Sequence, residues 1–281
     1  MILSKEDLRN FVHLIGALDP WLENLVIIGG WAYRLYRFHP MAQQLAYPPV
    51  ITLDTDIALP ARLPAKPLDI RRRLLESGFE EELLGDHQPP VTHYRLGGET
   101  SGFYAEFLTP LMGSVQKRDK KAGSTTRIAG VTSQKLRYLD LLLQSPWFVT
   151  LDESNGFPVS KPTDVRIANP ASYMAHKLLI HSMRPPNERA KDILYIHDTI
   201  EVFGSSLERL REEWQSRSRQ HVHKNALQSI DTAVNSLFRK VTDVVREAAL
   251  MAVGRNLAPE QIRNVCQVGL ASVFSQRAME A

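Results

Sequence analysis

VITLDTDIAL, residues 50–59, is the stretch on which the fold turns. It is an apolar, β-branched run closed by Pro60, and it predicts a buried strand. Side chains alternate along a strand, so Asp54 and Asp56 share one face while Leu53, Thr55 and Ile57 share the other. Carboxylates one strand repeat apart repel each other, and desolvation sharpens the conflict. A divalent cation resolves it, because Mg²⁺ favours one or two carboxylates together with substrate phosphates. The exposed face of an edge strand would carry the same Asp-x-Asp. By itself the motif does not decide between metal and solvent.

Upstream, LVIIGG (25–30) predicts a short buried strand delivering Gly29 and Gly30 to the start of a helix, WAYRLYRF (31–38). Glycine lets phosphate oxygens approach the backbone, and a helix N-terminus presents free N–H groups. An ordinary strand-to-helix turn explains the pair equally well. Before it, Ser4 and Asp7 form a variant capping box, and Leu8, Phe11, Val12 and Ile15 recur at helical spacing up to Asp19-Pro20. Trp31, Tyr33 and Tyr36 are expected to pack rather than stack bases. A loop occupies 39–49. Downstream, LDIRRRLLESGF (68–79) is helical, and THYRLG (92–97) with FYAEFL (103–108) predicts a strand pair around Gly97-Gly98. Glu106 stands out within that apolar second strand, where a carboxylate is costly unless paired, protonated, metal-bound or reaching water.

The expected order is α-β-α-β-α-β-β, a mixed α+β domain over 1–168. From 169 the pattern turns helical, giving a helical domain over 169–281. Asn169-Pro170 caps a helix that stops before Pro185-Pro186, and a second runs to Gly204. Leu227, Ile230, Val234, Leu237, Val241, Val244 and Ala248 then form one long stripe, and Pro259 opens a last helix. On the first of these helices Lys177, His181 and Arg184 share a face, either as a solvated stripe or as a surface for phosphates.

A hydrophobic fraction of 43% with a net charge of +3 excludes the disorder signature and is too mild to imply nucleic-acid binding. Lys117, Arg118, Lys120 and Lys121, with Arg127 beyond, form a local basic segment that a solvated loop also explains. The charged start MILSKEDLRN has no signal-peptide core, and no run is apolar enough to span a bilayer. The single cysteine, Cys266, excludes an internal disulfide and fits a buried thiol. The expected location is the cytoplasm, with no membrane partner.

Taken in order, the double glycine after the first strand, the Asp-x-Asp of the second and the later strand carboxylate resemble the polymerase-beta-type nucleotidyltransferase superfamily. NPASYMAHKLLIHSMR (169–184) and NERAKDILYI (187–196) are similar to the Lys-x(6)-Arg and Lys-Asp pattern of bacterial nucleotidyltransferases that include abortive-infection-type toxins. AEFLTPL and LRYLDLLL look like uncharacterised bacterial members. The likeness covers about residues 20–205. This chain departs from the superfamily in carrying Gly30 where serine is common, in lacking an arginine shortly before Thr52, and in the long gap from Gly30 to Asp54.

The resemblance implies a mixed sheet flanked by helices and transfer of an NMP from an NTP, with release of pyrophosphate. It implies that Asp54 and Asp56 hold Mg²⁺ (or Mn²⁺) and that Glu106 completes the metal site and helps deprotonate the acceptor hydroxyl. Gly29 and Gly30 would cradle the triphosphate, with Lys177, Arg184 and Asp192 as further nucleotide-binding residues. Asp192 serves equally well as a dipole partner in a first helical turn. The acceptor stays open between RNA (for example a tRNA end), a protein hydroxyl and an aminoglycoside-type small molecule. A toxin with an antitoxin partner, a non-catalytic nucleotide-binding or interaction protein on the same fold, and an RNA- or protein-binding partner such as the antitoxin of a pair are the other readings; oligomeric state is not encoded in the motifs.

Overall fold

The computed structural model describes residues 5–50, 52, 54–97, 102–111 and 124–275. Ser4 and the basic run 117–121 lie outside them. The chain divides into two compact units, Met1–Phe38 with Pro49–Ala168, and His39–Pro48 with Asn169–Ala281.

The first unit is built on a mixed sheet flanked by helices. Its strands, among the described residues, are β1 (Val26–Ile27), β2 (Asp54–Ala58), β3 (Glu80–Leu84), β4 (Val91–Arg95), β5 (Tyr104–Pro110), β6 (Thr125–Ile128), β7 (Val131–Leu136), β8 (Trp147–Leu151) and β9 (Thr163–Ile167). They run in the order β3-β4-β5-β2-β1-β9-β8, with β7 also on β5 and β6 on β7. Thus β2 lies inside the sheet, parallel to β5 on one side and antiparallel to β1 on the other. This removes the edge-strand explanation for Asp54 and Asp56.

Helix α1 (Lys5–Leu18) begins with Glu6 and Asp7, which suit the positive end of its dipole, and buries Phe11, Leu14, Ile15, Ala17 and Leu18. Phe11 stacks on Trp31 with ring centroids 3.8 Å apart. Trp31, Tyr33 and Tyr36 are buried, as packing residues should be. Helix α2 spans Gly29–Leu35, so the two glycines form its first turn instead of preceding it. The strand expected over 50–59 is described as Asp54–Ala58. Helix α3 (Ile70–Glu76) is capped by Asp69, whose carboxylate accepts from the Arg72 N–H. The short α4 (Asp140–Leu143) precedes the β8–β9 hairpin.

The second unit is helical. In α5 (Pro170–Ile180) the Asn169 side chain accepts from the N–H groups of Ala171 and Ser172, as the Asn-Pro start predicts. It continues with α6 (Pro186–Val202), α7 (Leu207–Glu213), α8 (Lys224–Leu237), α9 (Asp243–Met251) and α10 (Pro259–Phe274). The single long stripe expected over 227–248 is instead divided between α8 and α9. Phe238, at the end of α8, turns into the core, and Thr242 starts the next helix with Asp243 in its first turn. Helices α6 and α10 pack closely at Gly269, where a Cβ would lie 2.4 Å from Ile200 Cγ2. Cys266 is buried on the same helix, and burial pushes its thiol well above the usual range. Among the described residues no helix is long and apolar enough to cross a membrane.

Candidate active site

The acidic residues gather because of strand register. The parallel pairing of β2 with β5 sets Asp54 beside Tyr104 and Asp56 beside Glu106. Residues opposite each other in a ladder project to the same side. Accordingly Thr55, Ile57, Ala105 and Phe107 are buried, while Asp54, Asp56, Tyr104 and Glu106 are half-buried on the other face. Their fields converge on the Tyr104 hydroxyl. Burial first, then the carboxylates of Asp54, Glu106 and Asp56, push it well above the usual phenol range, against a smaller opposite pull from Arg95.

The double glycine closes the cluster from the strand on the other side. Antiparallel pairing sets Ile27 opposite Ile57, and the Ile28 N–H donates to the Asp56 carbonyl at 3.0 Å. The chain then turns into α2 through Gly29 at φ +60°, a backbone state that side chains disfavour. The space a side chain would need is taken: a Cβ on Gly29 would fall 1.7 Å from Asp56 Oδ2 and 2.7 Å from its Cγ. Gly29 is therefore fixed by its contact with the carboxylate as well as by conformation. Gly30 is buried in the first turn of α2.

Asp54 is held from the same helix. Arg34, buried in α2, lies 3.7 Å over the Trp31 ring and donates to the Thr52 carbonyl at 3.0 Å. The Thr52 hydroxyl in turn donates to Asp54 Oδ1. A cation–π contact and a buried hydrogen bond thus anchor the entry to β2.

Strand β4 adds two residues that the motif reading missed. His93 Nε2 is 3.4 Å from Glu106 Oε2, and its ring stacks on Tyr104 with centroids 4.1 Å apart. Arg95 bonds Glu82 of β3 at 3.1 Å. THYRLG predicts a strand, and its alternation, which puts His93 and Arg95 on one face, is the signal for both.

By their chemistry alone these side chains suit a hard divalent cation. The donors are carboxylate oxygens, which suit Mg²⁺ and Mn²⁺, and they stand on neighbouring inner strands with a glycine backbone against one of them.

In the helical unit Lys177, Arg184 and Asp192 come together on one carboxylate. Lys177 Nζ is 2.5 Å from Asp192 Oδ1, and Arg184 Nε is 3.2 Å from Oδ2. Lys177 is only 5% exposed, with its ammonium 4.8 Å from the ring centroids of both Tyr173 and Tyr195, so it is no solvated stripe. His181 falls in a following 3-10 turn, and burial lowers its pKa. Burial would raise the Asp192 pKa, but the charges and hydrogen bonds of Lys177 and Arg184 outweigh it and hold the carboxyl below its ordinary range.

Among the described residues, the ligand-type atoms that lie within 4.8 Å of one another are those of His197, Asp198 and Glu201, in the same helical unit. Here a cation is already built in. Arg255 donates to both oxygens of Asp198 at 2.8 Å and lies 3.8 Å over the ring of Tyr47, whose hydroxyl donates to Asp198 and Glu201. With Gln43 bonded to Val202 and Glu201, this cluster straps 39–48 to α6.

Comparison with known proteins identifies the family and assigns no residue of these sites. A family model described as Nucleotidyltransferase matches residues 6–219. No curated protein matches. Among solved structures, the chain is similar to the crystal structure of an antigenic nucleotidyltransferase-like protein from Paracoccidioides brasiliensis. The two are 18% identical over 88% of this chain and 94% of that one, with a TM-score of 0.43, a likeness too distant to assign any residue. The matched span takes in Gly29, Gly30, Asp54, Asp56 and Glu106 and covers most of the 281 residues, so the chain belongs to the nucleotidyltransferase family.

Proposed function

We propose that this chain moves a nucleoside monophosphate from an NTP to an acceptor hydroxyl, releasing pyrophosphate, with Asp54, Asp56 and Glu106 binding Mg²⁺ or Mn²⁺. The observation that carries this reading is the register of β2 on β5, which sets Asp56 beside Glu106 with Asp54 on the same face. A divalent ion held there would supply charge neutralisation for the phosphates and the attacking and leaving oxygens. The chain's own residues supply positioning. Thr52 orients Asp54. The backbone of Gly29, which has room for no side chain, holds Asp56 in place and leaves amide groups at the start of α2 for triphosphate oxygens. Glu106, one strand farther from the glycines, is assigned to the acceptor hydroxyl. Positioning and electrostatics of this kind carry most of the rate in phosphoryl-type transfers.

The triphosphate roles of Lys177, Arg184 and Asp192 rest on the resemblance of 169–196 to the bacterial enzymes. Losing one contact to a charged group should weaken NTP affinity about ten- to a hundredfold in Lys177→Ala. For the acceptor we favour a macromolecule, RNA or a protein hydroxyl, in line with that same segment's likeness to toxin-type members. A toxin role with an antitoxin partner belongs to the same proposal.

The test is incubation with each labelled NTP and Mg²⁺, with and without total bacterial RNA. Label on RNA or on protein supports the macromolecular acceptor. Label on a small molecule alone overturns that choice. No label and no pyrophosphate under any condition would leave a nucleotide-binding protein on the same fold.

A further inference from the structure

The face that carries the acidic cluster continues onto β4 and β3. Tyr94 pairs with Ala105 and Arg95 with Tyr104, which brings His93 beside Glu106; on the other side Glu82 pairs with His93. Three contacts define the imidazole. Nε2 is 3.4 Å from Glu106 Oε2, Nδ1 is 3.9 Å from Glu82 Oε2, and the ring lies nearly flat on Tyr104, at 15°. Its side chain is 16% exposed and that of Glu106 22%, so water competes little for either. Partners that orient a metal-binding carboxylate fix its angle and basicity as strongly as the ligand itself does.

Building on the functional reading above, we propose that His93 is a positioning residue for Glu106. The Nε2–H engages Oε2 and keeps the other carboxylate oxygen turned to the acceptor side of the cluster. The stack on Tyr104 sets the plane of the imidazole, and Glu82 marks its far end. At 3.4 Å the Nε2–Oε2 distance lies just beyond the ordinary hydrogen-bond range, and catalytic hydrogen bonds that are long in the free enzyme commonly tighten when the complete complex forms. A purely structural cross-strand pair would behave differently, because its value would lie in the ring stack and the sheet rather than in a donor aimed at one oxygen.

Two substitutions in the full chain separate these. His93→Phe keeps a ring on Tyr104 and removes the donor, whereas His93→Gln removes the ring and restores an N–H near the Nε2 position. Each is measured for kcat, for KM of the NTP, for Mn²⁺ binding by electron paramagnetic resonance in the presence of a non-hydrolysable NTP analogue, and for melting. For His93→Phe we expect kcat and Mn²⁺ affinity to fall about ten- to a hundredfold with KM for the NTP little changed, and His93→Gln to recover most of both. Wild-type kcat and Mn²⁺ binding in His93→Phe, or a His93→Gln as impaired as His93→Phe, overturns the proposal. Asp56→Asn is run beside them. If it abolishes transfer and Mn²⁺ binding while His93→Phe changes neither, only the His93 proposal fails. If transfer and Mn²⁺ binding ignore Asp56, the functional reading fails, and this proposal with it.

Discussion

Gly29→Ala tests the site through the backbone, without touching a charge. At φ +60° an alanine carries a left-handed cost of about 1–2 kcal/mol. Its Cβ would also fall 1.7 Å from Asp56 Oδ2, where ordinary contact begins at 3.4 Å. The carboxylate must therefore move by more than an ångström or the start of α2 must back away, an overpacking cost of about 1–3 kcal/mol. Together these predict a stability loss of about 2–5 kcal/mol. Displacing a reacting group by an ångström costs on the order of a hundredfold in rate, so transfer should fall at least about that far. Chemical denaturation and pyrophosphate release measure the two effects. The clash with the carboxylate belongs to the pair, so most of it should go in Gly29→Ala/Asp56→Ala, leaving the backbone cost, a tight 3.1 Å approach to the Cβ of residue 56, and a coupling of about 1–3 kcal/mol between the two sites. Activity should stay lost in the double variant, because Asp56 itself is gone. Wild-type transfer in Gly29→Ala, or stability losses that simply add, would refute the claim that this glycine is fixed by contact with the carboxylate.

Asp54→Asn or Asp56→Asn should each lower transfer at least about a hundredfold. Melting should stay the same or rise slightly, because repulsion between neighbouring carboxylates is relieved; a double variant with wild-type turnover would sink the metal site. Glu106→Gln should slow turnover strongly while sparing NTP binding, read by single-turnover kinetics and calorimetry; lost binding with unchanged turnover would reverse the assignment. Asp192→Asn should cost about 3–5 kcal/mol, because it takes the facing charge from the buried Lys177 head, with the half-exposed Arg184 beside it. The Asp192 carboxyl is depressed in the fold, so its stabilisation is complete above the unfolded value of about 3.9 and is lost as pH falls through the folded value. The stability gap between wild type and Asp192→Asn should thus be full at neutral pH and close in acid below pH of about 4, as denaturation curves across pH would show.

Local pattern made the outline of this molecule readable and left its pairings unread. Strict alternation around Asp54 and Asp56 gave the shared face, and the proline and asparagine starts gave α5 and α10, while Pro185-Pro186, read as a stop, also opens α6. Strand β3, with the sequence EEELL, has no apolar alternation; it is held by pairing with β4 rather than by a buried face of its own. The β8–β9 hairpin was not anticipated, although WFVTL alternates cleanly between buried and exposed positions. The stripe over 227–248 kept helical spacing through a break, since period alone does not register a side chain such as Phe238 turning inward.

The site shows the same division between what lies along a strand and what lies across strands. Asp54 and Asp56 are two residues apart, so one strand's geometry suffices to put them together. Glu106 needs a neighbour, and which neighbour depends on topology: β5 meets β2 in parallel, in the register that sets Glu106 beside Asp56. His93 needs one step more. A hairpin centred on Gly97-Gly98 would have set Glu106 across from Pro89, whereas pairing Tyr94 with Ala105 brings His93 there. A two-residue difference in where the turn is centred leaves the facing of every side chain unchanged while altering which group touches the carboxylate. Composition and period therefore carry the acids of this site, and register carries the groups that orient them. Substitutions on β4 are for that reason the sharper probe of how Glu106 works, and those on β2 of whether the site exists at all.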